Sequence, residues 1–256
     1  MLVIGVEMGI MLTQIKKCFN GDRYIAASNE TMLLAVRFKV EGSLRFLSHA
    51  ETLKLFQRAC VRAGLPLRYS EGFNPRPKLS LPLPRPVGVE SDDELLCLRV
   101  ERDPLPEADI PGESVATDRE SRIKAALARQ LPEGCELLSV GTPAVGASFQ
   151  PRSATYVLPV RREHFSEQLK ATVERILASE HLPLRRPMDE SGLKFKNVDV
   201  RSFLKSIKLE DASIIIECEI RPDGSVRVDE LRKLLGLDEA ALAAPVRRRN
   251  VQWQGG

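Results

Sequence analysis

The sequence is poor in the residues that build metal, redox and disulfide sites. It has five cysteines and three histidines in 256 residues. The cysteine count is odd, the residues are scattered and no CxxC pair occurs, which argues against a disulfide framework, a zinc ribbon and an iron–sulfur cluster. We therefore expect each cysteine to be a small buried side chain, and we expect no metal and no other cofactor.

The chain also lacks long apolar runs and phosphate-binding glycine motifs. No run of about 18 apolar residues occurs, so no membrane span is expected. The apolar N-terminal patch, MLVIGVEMGIMLTQIKK, is broken by Glu7 and has no basic residue ahead of it, unlike a signal peptide. Neither GxGxxG nor the longer glycine motif that ends in Gly-Lys-Ser or Gly-Lys-Thr is present. These absences predict a cytoplasmic protein without a nucleotide-binding loop.

Positive charge is concentrated in one segment. The whole chain has a net charge of +3. Residues 44–90 carry eight cations and three acids, a net charge of +5, which leaves −2 for the rest of the chain. Localised positive charge indicates a partner that bears phosphates, although a solvated surface would give the same pattern.

The order of the predicted elements indicates an α+β fold. In the first half, strand, helix, two strands, helix and strand follow one another, which predicts a ferredoxin-like βαββαβ unit with an antiparallel sheet. The second half repeats this order loosely and predicts a second such unit. We expect a first domain at residues 32–145, which includes the basic loop, and a second at residues 150–256. The stretch between them is rich in glycine, proline, alanine and serine.

The N-terminal segment differs from the rest of the chain. Residues 1–31 show no clear hydrophobic period and end in the polar stretch AASNET. We therefore expect a poorly ordered extension, with the native start at Met32.

A capped basic helix lies in the positively charged segment. Ser48 is the expected N-cap, and Glu51, three residues later, would complete a capping box. Gly64 and Pro66 are expected to end the helix. Cations recur at four-residue spacing and predict a basic stripe along it, formed by Lys54, Arg58 and Arg62.

His49 follows the expected N-cap and is the candidate catalytic residue. The positive end of the helix dipole disfavours an imidazolium there and favours a neutral base. If Tyr69, Ser70 and Lys78 approached His49, this group could cleave RNA without a metal. His49 would take the 2′-hydroxyl proton and Lys78 would steady the phosphorane. The alternative is that His49 only hydrogen-bonds a neighbour or a phosphate.

The loop after this helix, GFNPRPK, places an aromatic ring, an amide and two cations between prolines. Phe73 or Tyr69 is suited to stacking on a base, Asn74 to reading a base edge, and the cations to holding phosphates. The prolines should stiffen the loop. Phe73 could instead be a buried anchor. The predicted RNA-binding residues are Arg45, Arg58, Arg62, Arg68, Tyr69, Phe73, Asn74, Arg76 and Lys78.

A second basic segment, KFKNVDVR, occupies residues 194–201. It predicts either a second basic edge for the same kind of partner or an edge strand that is protected by its charges.

Residues 44–91, LRFLSHAETLKLFQRACVRAGLPLRYSEGFNPRPKLSLPLPRPVGVES, followed by the strand ELLCLRV, resemble the radical-SAM-linked protein family. That family is a bacterial domain of unknown function, found alone or fused to cobalamin-binding radical SAM proteins. KNVDVRSFL resembles a later element of the family, and the resemblance covers roughly residues 33–253. Ala50-Glu51 stands where Leu-Asp is usual. Arg76 stands where histidine is common, which weakens any scheme that needs a histidine in this loop.

The resemblance implies a companion of a radical SAM enzyme, because the chain has no CxxxCxxC motif to hold that enzyme's cluster. Together with the charge pattern, it leads us to expect a non-catalytic RNA-binding accessory protein in RNA or ribosome-linked modification, with tRNA or rRNA as the partner. Two alternatives stay open. One is a metal-independent endoribonuclease that uses His49, and the other is a protein–protein adaptor.

Overall fold

The computed structural model describes residues 31–101, 114–187 and 194–254. It is a mixed α+β protein, as predicted, and within the described residues nine strands form one largely antiparallel sheet. The predicted N-terminal extension lies outside the described residues, except for Thr31, which begins the first strand. No helix in the described ranges is long and apolar enough to cross a membrane.

The first half of the chain contains four strands and two helices. Its elements are β1 (Thr31–Val40), a 3₁₀ helix (Gly42–Phe46), α1 (His49–Arg62), β2 (Leu79–Ser80), β3 (Glu90–Glu101), α2 (Ser114–Ala128) and β4 (Cys135–Gly141). Their order in the sheet is β4-β1-β3-β2, and every neighbouring pair is antiparallel.

The second half contains the remaining elements. They are β5 (Gln150–Pro159), a 3₁₀ helix (Arg162–His164), α3 (Glu167–Ala178), β6 (Pro183–Pro187), β7 (Phe195–Asp199), a 3₁₀ helix (Arg201–Phe203), β8 (Leu204–Glu210), β9 (Ser213–Arg221), β10 (Gly224–Ser225), α4 (Val228–Leu235) and β11 (Arg247–Gln254). Strands β8, β9, β5 and β11 are neighbours in that order, again all antiparallel. Strands β6 and β7 form a separate two-stranded sheet.

Each half has its own hydrophobic core, because alternate residues of its strands face its helices. In β1, every second residue from Leu34 to Val40 is buried, and this face packs against Phe56 and its neighbours in α1. The rings of Phe38 and Phe56 meet edge to face with centroids 4.5 Å apart. A second cluster joins β5, β8, β9 and β11 to α3 and α4. Within the described residues three cysteines are buried, and burial raises the pKa of the Cys60 thiol to about 12.

Strand β11 joins the two halves. It pairs with β5 of its own half and, in parallel, with the start of β3. Arg248 is only 1% exposed, and its guanidinium donates to both carboxylate oxygens of Glu94 at 2.6 and 2.7 Å. Beside it, Arg247 pairs with Glu90 and Asp92 at 2.6 Å each. A division into two domains stays a prediction, because one sheet and a buried ion pair span both halves.

Some predicted strands are shorter in the structure or were missed. The sequence predicts short strands at residues 67–70 and 78–83, but neither forms in full, because only single bridges at Leu67 and Tyr69 and the two-residue β2 are present. Prolines interrupt this stretch and remove the donors that a ladder requires. Strands β6 and β8 were not predicted. In β8, a register shift between Leu204 and Ser206 breaks the alternation that marks a strand in sequence.

Candidate nucleic-acid interface

Helix α1 forms as the sequence predicted. The backbone N–H of Glu51 donates to Ser48 Oγ at 3.3 Å, and the N–H of Ser48 donates to the Glu51 carboxylate at 2.8 Å, which completes the capping box. The Ser48 hydroxyl also donates to the Glu51 carboxylate at 2.7 Å, and this bond together with the one from the Ser48 N–H lowers the pKa of Glu51. Phe56 and its neighbours fill the buried face, so the predicted basic stripe of Lys54, Arg58 and Arg62 is exposed on the outside of the helix.

An open cleft of about 760 Å³ runs along this stripe, between α1 and the turn that follows α2. We call it the basic groove. Its charged lining consists of four cations and one acid, and its apolar lining of three leucines and a proline. These residues are Lys54, Arg58, Arg62, Arg129 and Glu51, with Leu47, Leu55, Leu131 and Pro132. The guanidinium of Arg62 donates to the carbonyl oxygen of Gln130 at 2.7 Å and so connects the two walls.

The described part of the chain gives the other cations of the basic groove no ion-pair partner. In the described part of the chain, Lys54, Arg58 and Arg129 make no ion pair, and Glu51 is engaged with its helix cap. Cations that share a cleft repel one another, so the groove favours an anionic occupant.

Residues 68–78 fold back on themselves to form what we call the first hairpin. The N–H of Ser70 donates to the carbonyl of Arg76 at 2.8 Å, and the N–H of Arg76 donates to Ser70 Oγ at 2.9 Å. At its base, the N–H of Arg68 donates to the carbonyl of Arg99, and the N–H of Arg99 to the carbonyl of Lys78. The first hairpin is therefore attached to the C-terminal end of β3 through its backbone.

The side chains of the first hairpin face solvent. Phe73 is fully exposed, which rules out its alternative role as a buried anchor, and Asn74, Arg76 and Lys78 are exposed as well. Tyr69 is 39% exposed. The Arg68 side chain is instead ion-paired, because its guanidinium lies 3.5 Å from Glu101 and 3.8 Å from Glu71. The tip thus presents a ring, an amide and the Arg76 guanidinium together, while Arg68 and the facing Lys78 belong to the base.

Arg45 lies apart from both the basic groove and the first hairpin. It belongs to the 3₁₀ helix ahead of α1, where its guanidinium donates to the carbonyl of Gly42 at 2.8 Å. The same guanidinium stacks over the ring of Phe46, with 4.3 Å to the centroid. The structure therefore does not bring Arg45 together with the other predicted RNA-binding residues.

Arg85, one of the eight cations of the basic segment, has a structural role. It is buried, and burial lowers its pKa. Its guanidinium donates to the backbone carbonyls of Leu44, Arg45, Leu47 and Val89. It thereby joins the start of α1 to the start of β3, and it adds no charge to the surface that a partner meets.

His49 does not meet the residues that were expected to assist it. Through Arg85, the N-terminal end of α1 lies beside Val89, where β3 begins. The first hairpin lies beside Arg99, near the other end of β3. Ten residues of strand span about 33 Å. The expected approach of Tyr69, Ser70 and Lys78 to His49 is therefore wrong, and His49 is an exposed residue of the first turn of α1.

Residues 34–228 match the family described as an uncharacterized protein conserved in bacteria, DUF2344. The chain belongs to this family. The matched residues include α1 and the first hairpin.

Comparison with individual proteins adds little to this family membership. A search of curated proteins gave no significant match. Among solved structures, one titled as the crystal structure of an unknown protein from Galdieria sulphuraria is 13% identical and covers 89% of this chain and 99% of its own. Its TM-score is 0.22, so it supports no argument about fold or function.

The predicted RNA-binding residues of this chain lie in three places. Arg58 and Arg62 line the basic groove, six residues from 68 to 78 form the first hairpin, and Arg45 lies separately. Sequence reasoning missed Arg129 as a groove residue. The available signal was its position just after the end of α2, where a cation is favoured by the helix dipole. Its partnership with α1 depends on how the two elements pack, which the sequence does not reveal.

Proposed function

We propose that this protein is a non-catalytic RNA-binding accessory protein. The basic groove holds the phosphates of the RNA, and the first hairpin contacts its bases. The observation that carries the proposal is the basic groove, in which Lys54, Arg58 and Arg129 line one cleft without an ion pair in the described part of the chain.

Phosphate binding follows from the charges of the groove. Arg58 and Arg129 present planar guanidinium groups that match the geometry of phosphate oxygens. The leucine and proline side chains beside them offer an apolar surface on which a sugar or a base can rest. Because phosphate contacts release counterions, binding of this kind weakens steeply as salt increases.

The first hairpin supplies groups suited to unpaired bases. An exposed ring such as Phe73 can stack on a base of any sequence, and the Asn74 amide can hydrogen-bond a base edge. The neighbouring Arg76 and Lys78 can hold the phosphates on either side. A base in a duplex is stacked on its neighbours and inaccessible to such a tip, so the proposal specifies single-stranded RNA or a loop.

We further propose that each half is a ferredoxin-like unit. The support is that both halves share one strand order. In the first half the order is β4-β1-β3-β2, and in the second β11, β5, β9 and β8 take the same four places. A helix follows the first strand of each half and another precedes its last strand, as the βαββαβ order requires.

The partner that we propose is a radical SAM enzyme acting on the same RNA. This part of the proposal rests only on the resemblance of residues 33–253 to the radical-SAM-linked family. The cytoplasm is the proposed location. An endoribonuclease that uses His49 gains no support, because its assisting groups lie at the far end of β3.

The direct test measures RNA binding by fluorescence anisotropy. We expect the wild type to bind a 30-nucleotide single strand with an affinity that falls steeply from about 0.05 to 0.2 M salt. The double variant R58E/R129E should bind about 10-fold or more weakly at about 0.15 M salt, with a shallower salt slope.

The matched control is K208E/K233E, which reverses two exposed cations of β8 and α4 and should bind like the wild type. Equal affinity of the groove variant and the wild type would overturn the proposal. In that case a protein–protein adaptor would be the better interpretation, and gel filtration with the enzyme alone would test it.

A further inference from the structure

We propose that the β6–β7 hairpin is a second contact for single-stranded RNA, a stacking surface built from Arg185, Phe195 and Asn197. This inference rests on the proposed function and adds a site in the other half of the molecule. The hairpin projects from the segment between α3 and β8, outside the nine-stranded sheet.

The register of the hairpin places these three side chains on one face. Arg185 lies opposite Asn197, and Pro187 lies opposite Phe195. Directly opposed residues of paired strands share a face, and so do residues two positions apart on one strand, so all four lie on the same face. The Arg185 guanidinium lies over the Phe195 ring, 3.9 Å from its centroid. All three side chains are exposed, with Phe195 at 41%.

The opposite face attaches the hairpin to the protein. Leu184 and Val198 pack against the second hydrophobic core. Arg186 donates to the two carboxylate oxygens of Glu230 at 2.7 Å each and to the carbonyl of Ser225 at 2.9 Å. The outward face is therefore held in place before any ligand arrives, which reduces the entropy lost on binding.

The base of the hairpin is fastened by Asp199. Its carboxylate accepts the backbone N–H of Leu182 at 2.8 Å and that of Arg201 at 3.0 Å, and it lies 2.7 Å from His181 Nδ1. Asp199 is the only acid among the described residues of the two strands, and these contacts already use it. It lies opposite Pro183 at the base of the hairpin, four residues along β7 from Phe195, and it makes no ion pair with Arg185.

Arg185 is the cation of the outward face. Within the described part of the chain it is exposed and makes no ion pair, whereas Lys196 lies opposite Arg186 and so belongs to the attaching face. A guanidinium stacked on a ring keeps its second face and its N–H groups available, so it can stack on a base and bind a phosphate. Asn197 beside it can hydrogen-bond a base edge.

Charge complementarity favours RNA over a protein as the occupant. A protein interface is expected to bury an apolar centre. In the described strands of the hairpin the exposed ring, Phe195, is instead covered by the Arg185 guanidinium. The first hairpin also offers an aromatic ring, an amide and cations, and it too follows the first helix of its half. A strand long enough to reach both hairpins would gain affinity from the second contact without any change at the first.

The experiment compares two RNA lengths, using the full chain and unlabelled competitors of eight and 30 uridines. We expect F195A to weaken binding of the 30-mer about 10-fold, the scale of one lost base stack. F195Y should keep near wild-type affinity, because its ring can still stack. V145A, which removes a fully exposed apolar side chain between the two halves, is the matched control and should have no effect.

A second variant keeps the test informative if F195A fails to fold. R185E alters one exposed side chain of the outward face and should also weaken binding of the 30-mer by about 10-fold at about 0.15 M salt, because it replaces the cation over Phe195 with a negative charge. If both hairpin variants bind the 30-mer like the wild type while R58E/R129E is weakened, this inference is wrong and the proposed function stands. If the wild type binds neither RNA, both are wrong.

Discussion

The two hairpins differ in what holds them in place, although each follows the first helix of its half. The first hairpin is tied to β3 by backbone hydrogen bonds at Arg68, Lys78 and Arg99, and its ring, Phe73, is fully exposed. The β6–β7 hairpin is held by side chains, through Arg186 and its partner Glu230, and its ring is covered by Arg185.

This difference shows two ways of presenting the same kinds of side chain. Backbone hydrogen bonds and prolines fix the path of the first hairpin, while its exposed tip side chains Phe73, Asn74 and Arg76 make no ion pair with the described residues and can adjust to a ligand. The β6–β7 hairpin has a mostly buried ion pair and a ring covered by Arg185, so its surface is set in advance. We therefore expect side-chain substitutions in the first hairpin to change the stability of the protein little. Substitutions of the side chains that anchor the β6–β7 hairpin should change it more.

The largest effect should come from the buried Arg248–Glu94 ion pair, because it joins the two halves that carry the two hairpins. R248M leaves the Glu94 carboxylate buried without its partner, and we expect a loss of about 3–5 kcal/mol in the free energy of unfolding. Urea denaturation measures it. The double variant R248M/E94L removes both charges and should recover much of this loss. A single variant as stable as the wild type would show that the pair does not join the halves.

The second-largest loss of stability should distinguish the two hairpins. E230A removes the partner of Arg186, whose side chain is mostly buried, and should cost about 3 kcal/mol of unfolding free energy. Limited trypsin digestion should also become faster after Lys194 and Lys196, with cleavage after Arg68 unchanged. The control E167A removes an exposed ion pair with Lys170 and should change stability by less than about 0.5 kcal/mol. Equal digestion rates for E230A and wild type would contradict the proposed anchoring.

Acid should loosen the base of the β6–β7 hairpin. The backbone N–H of Leu182, His181 and the N–H of Arg201 hold the pKa of Asp199 at about 2 in the folded protein, below its ordinary value. Because the folded pKa is lowered, the stabilisation is present above about pH 4 and is lost as the pH falls towards 2. The stability difference between wild type and D199N should therefore shrink over this range. A difference that does not change with pH would show that the Asp199 charge is unimportant.

The smallest effect should be at the first hairpin. S70A removes the exposed hydrogen bond from the Arg76 N–H to Ser70 Oγ, and we expect a loss of about 0.5 kcal/mol. Thermal unfolding measures it, with D199A as the comparison at neutral pH. If S70A destabilises the protein more than D199A does, the contrast between the two hairpins is wrong.

Local patterns in the sequence predicted β1 and α1 well. The apolar alternation of β1 and the capping residues of α1 depend on neighbours in the chain, and both are present in the structure. The exposed basic stripe follows from helical spacing alone. These features could be predicted because the period of a strand or helix decides which side chains face the core.

What sequence reasoning missed depends on contacts between distant segments. Arg129 enters the basic groove only because α2 ends beside α1, and buried Arg85 is surrounded by five backbone carbonyls from two distant segments. The separation of His49 from Lys78 likewise follows from the length of β3. Arg186 and Arg185 are neighbours in a basic run, yet one is an internal contact and the other a surface group.

The most direct test of the central claim is to crosslink the protein to uridine-rich single-stranded RNA with ultraviolet light and to map the crosslinked peptides by mass spectrometry. We expect crosslinks at Tyr69 or Phe73 and along residues 54–62, and we expect them to disappear in R58E/R129E. Crosslinks confined to other parts of the chain, or none at all in the wild type, would contradict the claim.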